Sequence, residues 1–112
     1  MLSSGPATKV YLACGVTDMR RSYDGLYGMV QGKLGCDPLS GHLFVFCNRR
    51  RDRIKILYWD GSGLWVCAKR LEQGTFHWPS GTSSSVELTQ AQLNLLLGGI
   101  DLLATKRRRW IG

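Results

Sequence analysis

Apolar positions along this chain form short β-type runs, broken by one helical stripe and followed by a second near the end. Thr8-Lys9-Val10-Tyr11-Leu12-Ala13-Cys14 is rich in strand formers and closes on Gly15. Tyr23, Leu26, Tyr27, Val30 and Leu34 then recur at helical spacing, which gathers them on one face that needs an apolar partner. Thr17 or Asp18 is the expected cap of this helix, because either side chain can accept an orphan N–H of its first turn. Gly25, Gly28 and Gly32 each weaken the helix in isolation by about 1 kcal/mol relative to Ala. Packing must therefore hold it, and small residues there would suit close approach to a sheet.

Gly35-Cys36-Asp37-Pro38-Leu39-Ser40-Gly41 has the composition of a loop. Three strand candidates follow, His42 to Asn48, Arg53 to Trp59 and Leu64 to Leu71, with connectors short enough for hairpins. Thr75-Phe76-His77-Trp78 reads as a fourth short strand that stops at Pro79. Residues 80–85, rich in Gly, Ser and Thr, read as a flexible linker. Thr89-Gln90-Ala91-Gln92 has the form of a capping box, with Thr at the N-cap and Gln three residues on. Leu93, Leu96 and Leu97, with Ile100 beyond them, supply the apolar side of the helix behind it, and Gly98-Gly99 is the expected stop. The predicted fold is α+β: an antiparallel β-meander of about four to five strands packed against two helices, in a single domain. Within it, residues 1–79 form a strand-helix-meander core, 80–85 the linker, 86–101 a C-terminal helix packing on the core, and 102–112 a basic tail.

Pairing decides what each face of the meander carries. With Gly61-Ser62 as a two-residue loop, Trp59 faces Leu64. One face then holds Arg53, Lys55, Leu57 and Trp59 beside Leu64, Val66, Ala68 and Arg70. The other holds Ile54, Ile56 and Tyr58 beside Trp65, Cys67 and Lys69. With Arg50-Arg51 as a second two-residue loop, Phe44 and Phe46 join the first face, and Leu43, Val45 and Cys47 the second. On this reading the apolar second face covers the helices. The first mixes cations with aromatics, as surfaces that hold phosphates and stack bases do. A slip of one residue would reverse every assignment on a strand. The bland alternative is that both faces are buried and the Lys and Arg stems reach past the core to water.

Charge gives these faces their interest. Fifteen Lys and Arg against eight Asp and Glu leave a net charge of +7, and the pI is near 9.6. Such a surplus attracts polyanions, nucleic acid first and anionic membrane second. A hydrophobic content of 44% argues against wholesale disorder. The N-terminus lacks the pattern of a secretory signal. Leu93 to Leu103 is interrupted by glycines and Asp101 and is about half the length a membrane helix needs. A cytoplasmic protein without membrane attachment is expected.

The four cysteines, Cys14, Cys36, Cys47 and Cys67, form no closely spaced pair, and His42 and His77 are isolated. Buried thiols fit Cys14, Cys47 and Cys67 better than a metal site or a disulfide framework does. The carboxylates stand mostly at turns or caps, and the chain has neither a nucleophile elbow nor a phosphate-binding loop. No enzymatic activity and no cofactor are expected. A metal-dependent nuclease using Asp24, Asp52 and Asp60 is the weaker alternative. The candidate nucleic-acid-binding residues are Arg49, Arg50, Arg51, Arg53, Lys55, Trp59, Lys69 and Arg70, joined by Lys106, Arg107, Arg108 and Arg109 of the tail, where Trp110 adds a stacking group.

Several ordered motifs resemble one family. These are Gly15-Val16-Thr17-Asp18-Met19-Arg20, Tyr23-Asp24-Gly25-Leu26, the segment from Asp37 to Phe46, Ile54 to Gly61, Lys69-Arg70-Leu71-Glu72, Gly74, Phe76, Trp78-Pro79, and Leu88 to Leu93. Together they are similar to the accessory protein, often called TnpB, encoded by the second open reading frame of insertion-sequence family sixty-six elements. The resemblance runs from about Thr8 to Asp101, and Gly98 stands where the family usually has an acidic residue. It implies a bacterial protein needed for transposition, with mobile-element DNA, a separate transposase and a second small accessory protein as expected partners. It assigns no catalytic residues. A noncatalytic, nucleic-acid-binding accessory factor is the leading expectation, with a module that bridges or regulates transposase without touching DNA as its rival.

Overall fold

The computed structural model describes residues 8–98. Strand β1, Val10–Ala13, leads through helix α1, Tyr23–Gly32, to β2, Leu43–Cys47. Strands β3, Arg53–Trp59, and β4, Leu64–Arg70, complete a meander, and the chain returns as β5, Ser85–Leu88, before helix α2, Gln90–Leu97. One five-stranded sheet results, in the order β4-β3-β2-β1-β5. The α+β class and the meander are as the sequence predicts. Two pairings could not be read from it. The crossover through α1 makes β1 parallel to β2, and β5 adds to β1 antiparallel.

The meander's register matches the predicted one: Phe46 opposes Lys55 and Cys47 opposes Ile54, while Arg53 opposes Arg70 and Trp59 opposes Leu64. The β3–β4 loop is the expected tight turn, with Gly61 at φ +100° and Asp60 N–H donating to Gly63 O at 3.1 Å. Positive φ at the first central position is a requirement of primed hairpin turns. The β2–β3 loop is wider than predicted. Asn48 N–H donates to Arg53 O, Arg51 N–H returns to Asn48 O, and Arg51 takes φ 60°. Its left-handed backbone closes a four-residue loop that keeps the same pairing. The Asn48 side chain stitches it, accepting from Asp52 N–H and Arg53 N–H at 3.1 Å each.

Both faces of the sheet are covered, which corrects the expectation that the helices share one. On one side α1 buries Leu26 and Val30 against Phe44, Phe46 and Leu57. On the other, α2 and the segment around Phe76 and Trp78 bury Val45, Cys47, Ile54 and Ile56. β2 lies between these layers and is buried at every position. Phe44 and Phe46, fully enclosed, cannot stack on a base.

Local corrections follow the same logic. Neither Thr17 nor Asp18 caps α1, whose N-cap is Ser22 without a side-chain hydrogen bond. Asp18 is taken by Arg20. Tyr23, predicted on the buried stripe, is 49% exposed. Gly28 and Gly32 look onto open space, so they serve no close approach to the sheet. Thr75–Trp78 forms no strand. Phe76 and Trp78 are nonetheless buried, fixed by Phe76 N–H to Arg51 O at 2.7 Å and Trp78 Nε1 to Ala13 O at 2.9 Å. The expected linker ends in β5 rather than in a helix. The capping box at Thr89 and Gln92 forms with both of its hydrogen bonds.

Candidate nucleic-acid interface

Two open grooves beside α1 gather most of the cations among the described residues. The larger, about 790 Å³, lies between the β1–α1 connection, the C-terminal end of α1 and the β2–β3 loop. Arg21, Lys33, Arg49 and Arg50 line it, with Thr17 and Met19 in its wall. The smaller, about 340 Å³, is lined by Arg53, Lys55, Lys69 and Arg70, again with Met19. Because Met19 is common to both, they adjoin along one flank of the molecule.

Local structure explains why these side chains meet. Thr17 N–H donates to Cys47 O at 2.8 Å and Lys33 Nζ to Cys14 O at 2.7 Å, so both ends of the α1 segment are tied to the strand ends beside the arginine loop. Lys55 Nζ donates to Arg21 O at 2.7 Å, joining the two grooves. The Thr17 hydroxyl is buried and has no hydrogen-bond partner among the described residues. Arg53 and Arg70 stand directly opposite one another, an arrangement that like charges disfavour. Among the described residues only Glu72 moderates it, at 3.3 Å from Arg70 and well exposed. Arg21, Arg49, Arg50 and Arg53 have no ion pair among the described residues.

The predicted site residues therefore separate. Arg49 and Arg50 line the larger groove, and Arg53, Lys55 and Arg70 the smaller. Lys69 borders the smaller groove from the other face of the sheet, where its Nζ donates to Leu97 O at 2.6 Å. Arg51 turns away: its Nη1 donates to Trp78 O at 2.9 Å and holds the Phe76–Trp78 segment. Trp59 is half-buried and lines neither groove, since it lies six residues, about 20 Å of extended strand, from Arg53. Lys106, Arg107, Arg108, Arg109 and Trp110 lie outside the described residues. Arg21 and Lys33 were missed. Their sequence signal is weak because only the β1–α1–β2 crossover brings them to the arginine loop.

Acidic groups serve the loops. Asp60 accepts from Ser62 N–H, Gly63 N–H and Trp65 Nε1, and these bonds hold its carboxyl well below the ordinary range. Arg20 holds Asp18 down at about 2. The Asn48 amide lowers Asp52. Among the described residues no group of three or more His, Cys, Asp or Glu side chains converges as a metal site. No helix among them is long and apolar enough to cross a membrane. Cys14 and Cys47 are buried, whereas Cys36 and Cys67 are only half-buried, Cys67 because it sits on an edge strand.

The family model of IS66 Orf2-like proteins matches residues 8–107, a span that takes in the whole sheet, both helices and both grooves. The chain belongs to the IS66 Orf2-like family. It is 43% identical over 101 residues to the uncharacterized protein y4hO of Sinorhizobium fredii, covering 90% of this chain and 88% of that protein. It is 33% identical over 108 residues to the uncharacterized protein y4jC of the same organism, covering 96% and 92%. No solved structure matches. Membership in this IS66 Orf2-like family ties the protein to an insertion-sequence accessory role.

Proposed function

We propose that this IS66 Orf2-like protein serves transposition as a noncatalytic factor that holds the DNA backbone along the two adjoining cationic grooves. It would act in the cytoplasm beside the element's transposase and second small accessory protein. The observation that carries this reading is the placement of Arg53 opposite Arg70, next to a groove lined by Arg21, Arg49 and Arg50. Mutual repulsion among these groups is relieved by a polyanion lying across them, and phosphates meet that need without base recognition. Burial of Phe44 and Phe46 removes the stacking platform that single-strand binders use. Duplex DNA therefore suits the surface better than single strands.

A salt titration tests this directly. Arg21, Arg49, Arg50 and Arg53 are the groove cations whose side chains have no acceptor among the described residues. Contact of all four with phosphates gives a slope of log K against log salt near −3.6, at about −0.9 per phosphate. Charge reversal at Arg49, Arg50 and Arg53 should abolish most binding, equally for element-end and scrambled duplexes. Absence of DNA affinity at low salt, with transposase still co-purifying after nuclease treatment, would sink the proposal in favour of a protein bridge.

A further inference from the structure

The sheet has two edges of different character. β5 is short, Ser85–Leu88. β4 is long, and all of Leu64–Arg70 pairs with β3 in one unbroken register without a bulge. Hydrogen bonds just beyond its ends, Asp60 N–H to Gly63 O and Leu71 N–H to Asp52 O, fix the phase of the ladder. Antiparallel pairs alternate between bonded and non-bonded. Gly63, Trp65, Cys67, Lys69 and Leu71 thus point their backbone groups at β3, and Leu64, Val66, Ala68 and Arg70 point theirs outward. Those outward N–H groups have no partner among the described residues. Long, unbroken edges of this kind are ready templates for another strand, and natural proteins usually blunt them with bulges, prolines or inward charges. The outward positions of β4 hold no proline and only one charge, Arg70 at the very end.

We propose that β4 is a self-pairing edge: a second copy of this chain adds antiparallel to it, centred on Cys67, to make one continuous sheet. In that register Leu64 meets Arg70 of the second copy and Val66 meets Ala68, so every outward group of both strands is used. Charge selects the same alignment. β4 begins beside Asp60, whose Oδ2 accepts from Trp65 Nε1 at 2.7 Å, and it ends in Lys69 and Arg70. Antiparallel pairing sets Lys69 of the second copy beside Trp65, where the half-exposed indole offers a cation–π face and Asp60 a counter-charge. These draw the ammonium from Leu97 O, to which it donates at 2.6 Å within its own copy. Slips toward the strand's C-terminal end shorten the pairing and bring the cations toward their own copies, which like charges oppose. The two-fold axis then stands perpendicular to the sheet. The Arg53–Arg70 grooves of both copies consequently open on the same side.

Cys67 supplies the decisive test. On the axis it opposes itself as a non-hydrogen-bonded pair, with Cα atoms about 4.5 Å apart, inside the roughly 4.4–6.8 Å that a disulfide spans. Sedimentation of the full chain should find a species at twice the 12.5 kDa mass. Mild oxidation with copper–phenanthroline should trap that species as a covalent dimer, lost in Cys67→Ser and retained in Cys36→Ser. Ala68→Pro removes an outward N–H and blocks approach while leaving the β3 ladder whole. It should weaken association at least about tenfold without changing the circular dichroism. A single 12.5 kDa species at high concentration would overturn the proposal. So would a dimer in which Cys67 stays free, because another surface would then form the contact. None of these measurements contains nucleic acid, so their outcome is independent of the salt titration.

Discussion

Asp60 shows how much one side chain can settle. It accepts from both N–H groups of its own turn and reaches back to Trp65, so one carboxylate shapes the hairpin and fixes an exposed indole. The Asp-Gly pair announced a turn from sequence, but the Trp65 bond needed the strand that brings the indole back. Because the folded carboxyl titrates below its ordinary value of 3.8, the folded state gains from its ionised form. That gain is complete above the unfolded value and is lost as pH falls through 3.8 toward the folded one. Asp18 and Asp52 are shifted in the same direction. Asp60→Asn keeps the oxygen that accepts from Ser62 and Gly63 N–H, gives up the acceptor for Trp65 Nε1, and cannot titrate. Its stability, followed by urea unfolding from pH 6 to pH 2, should decline less steeply on the acid side than that of the parent. An unchanged acid limb would remove Asp60 as a contributor.

Among elements, the helices show best what periodicity does and does not carry. The stripe Leu26, Val30 and Leu34 was legible, and these residues are buried. The glycines between them were not, since spacing cannot tell a glycine under a sheet from one facing water. Gly28 lies on the exposed side of α1, and a Cβ there meets nothing within 4 Å. Gly28→Ala should raise stability by about 0.5–1 kcal/mol, chiefly by restricting the unfolded chain. Chemical denaturation would register this as a higher midpoint at unchanged slope, and a loss of stability would place a hidden contact at this position. Thr75–Trp78 teaches the converse. Its alternation suggested a strand, yet Phe76 and Trp78 enter the core from irregular backbone because Arg51 and Ala13 supply their hydrogen bonds. Short apolar runs fix burial more firmly than conformation. β5 was illegible for a related reason, as its few residues follow a Ser-rich stretch and acquire strand geometry only by pairing with β1.

Across the whole molecule, the sheet sits between two different cores. Burial raises the Cys47 thiol to about 11, on a central strand covered from both sides. Its labelling by a thiol reagent at neutral pH therefore requires global opening. Cys36 and Cys67, half-buried, should react in the native state, while Cys47 should react at a rate that tracks unfolding as denaturant is added. Fast native labelling of Cys47 would show a local route through one of the covering layers. The same layering decides the candidate site. Arg21, Lys33, Arg49 and Arg50 meet where α1 ends and the arginine loop begins. Arg51, beside Arg50 in sequence, is turned onto Trp78 O instead, and Trp59 lies too far along β3 to reach either groove.

By itself, the sequence determined the α+β class, the meander, its register and the capping box, because hairpin turns and alternating side chains are local and act within a few residues. It also pointed to a basic, insertion-sequence-related protein. Only the tertiary structure decided that α1 covers the aromatic face, that β1 runs parallel to β2, and that Arg21 and Lys33 join Arg49 and Arg50. Each of these depends on where a crossover lays its helix. That choice is set by burying two apolar faces at once, and no single stretch of the chain encodes it.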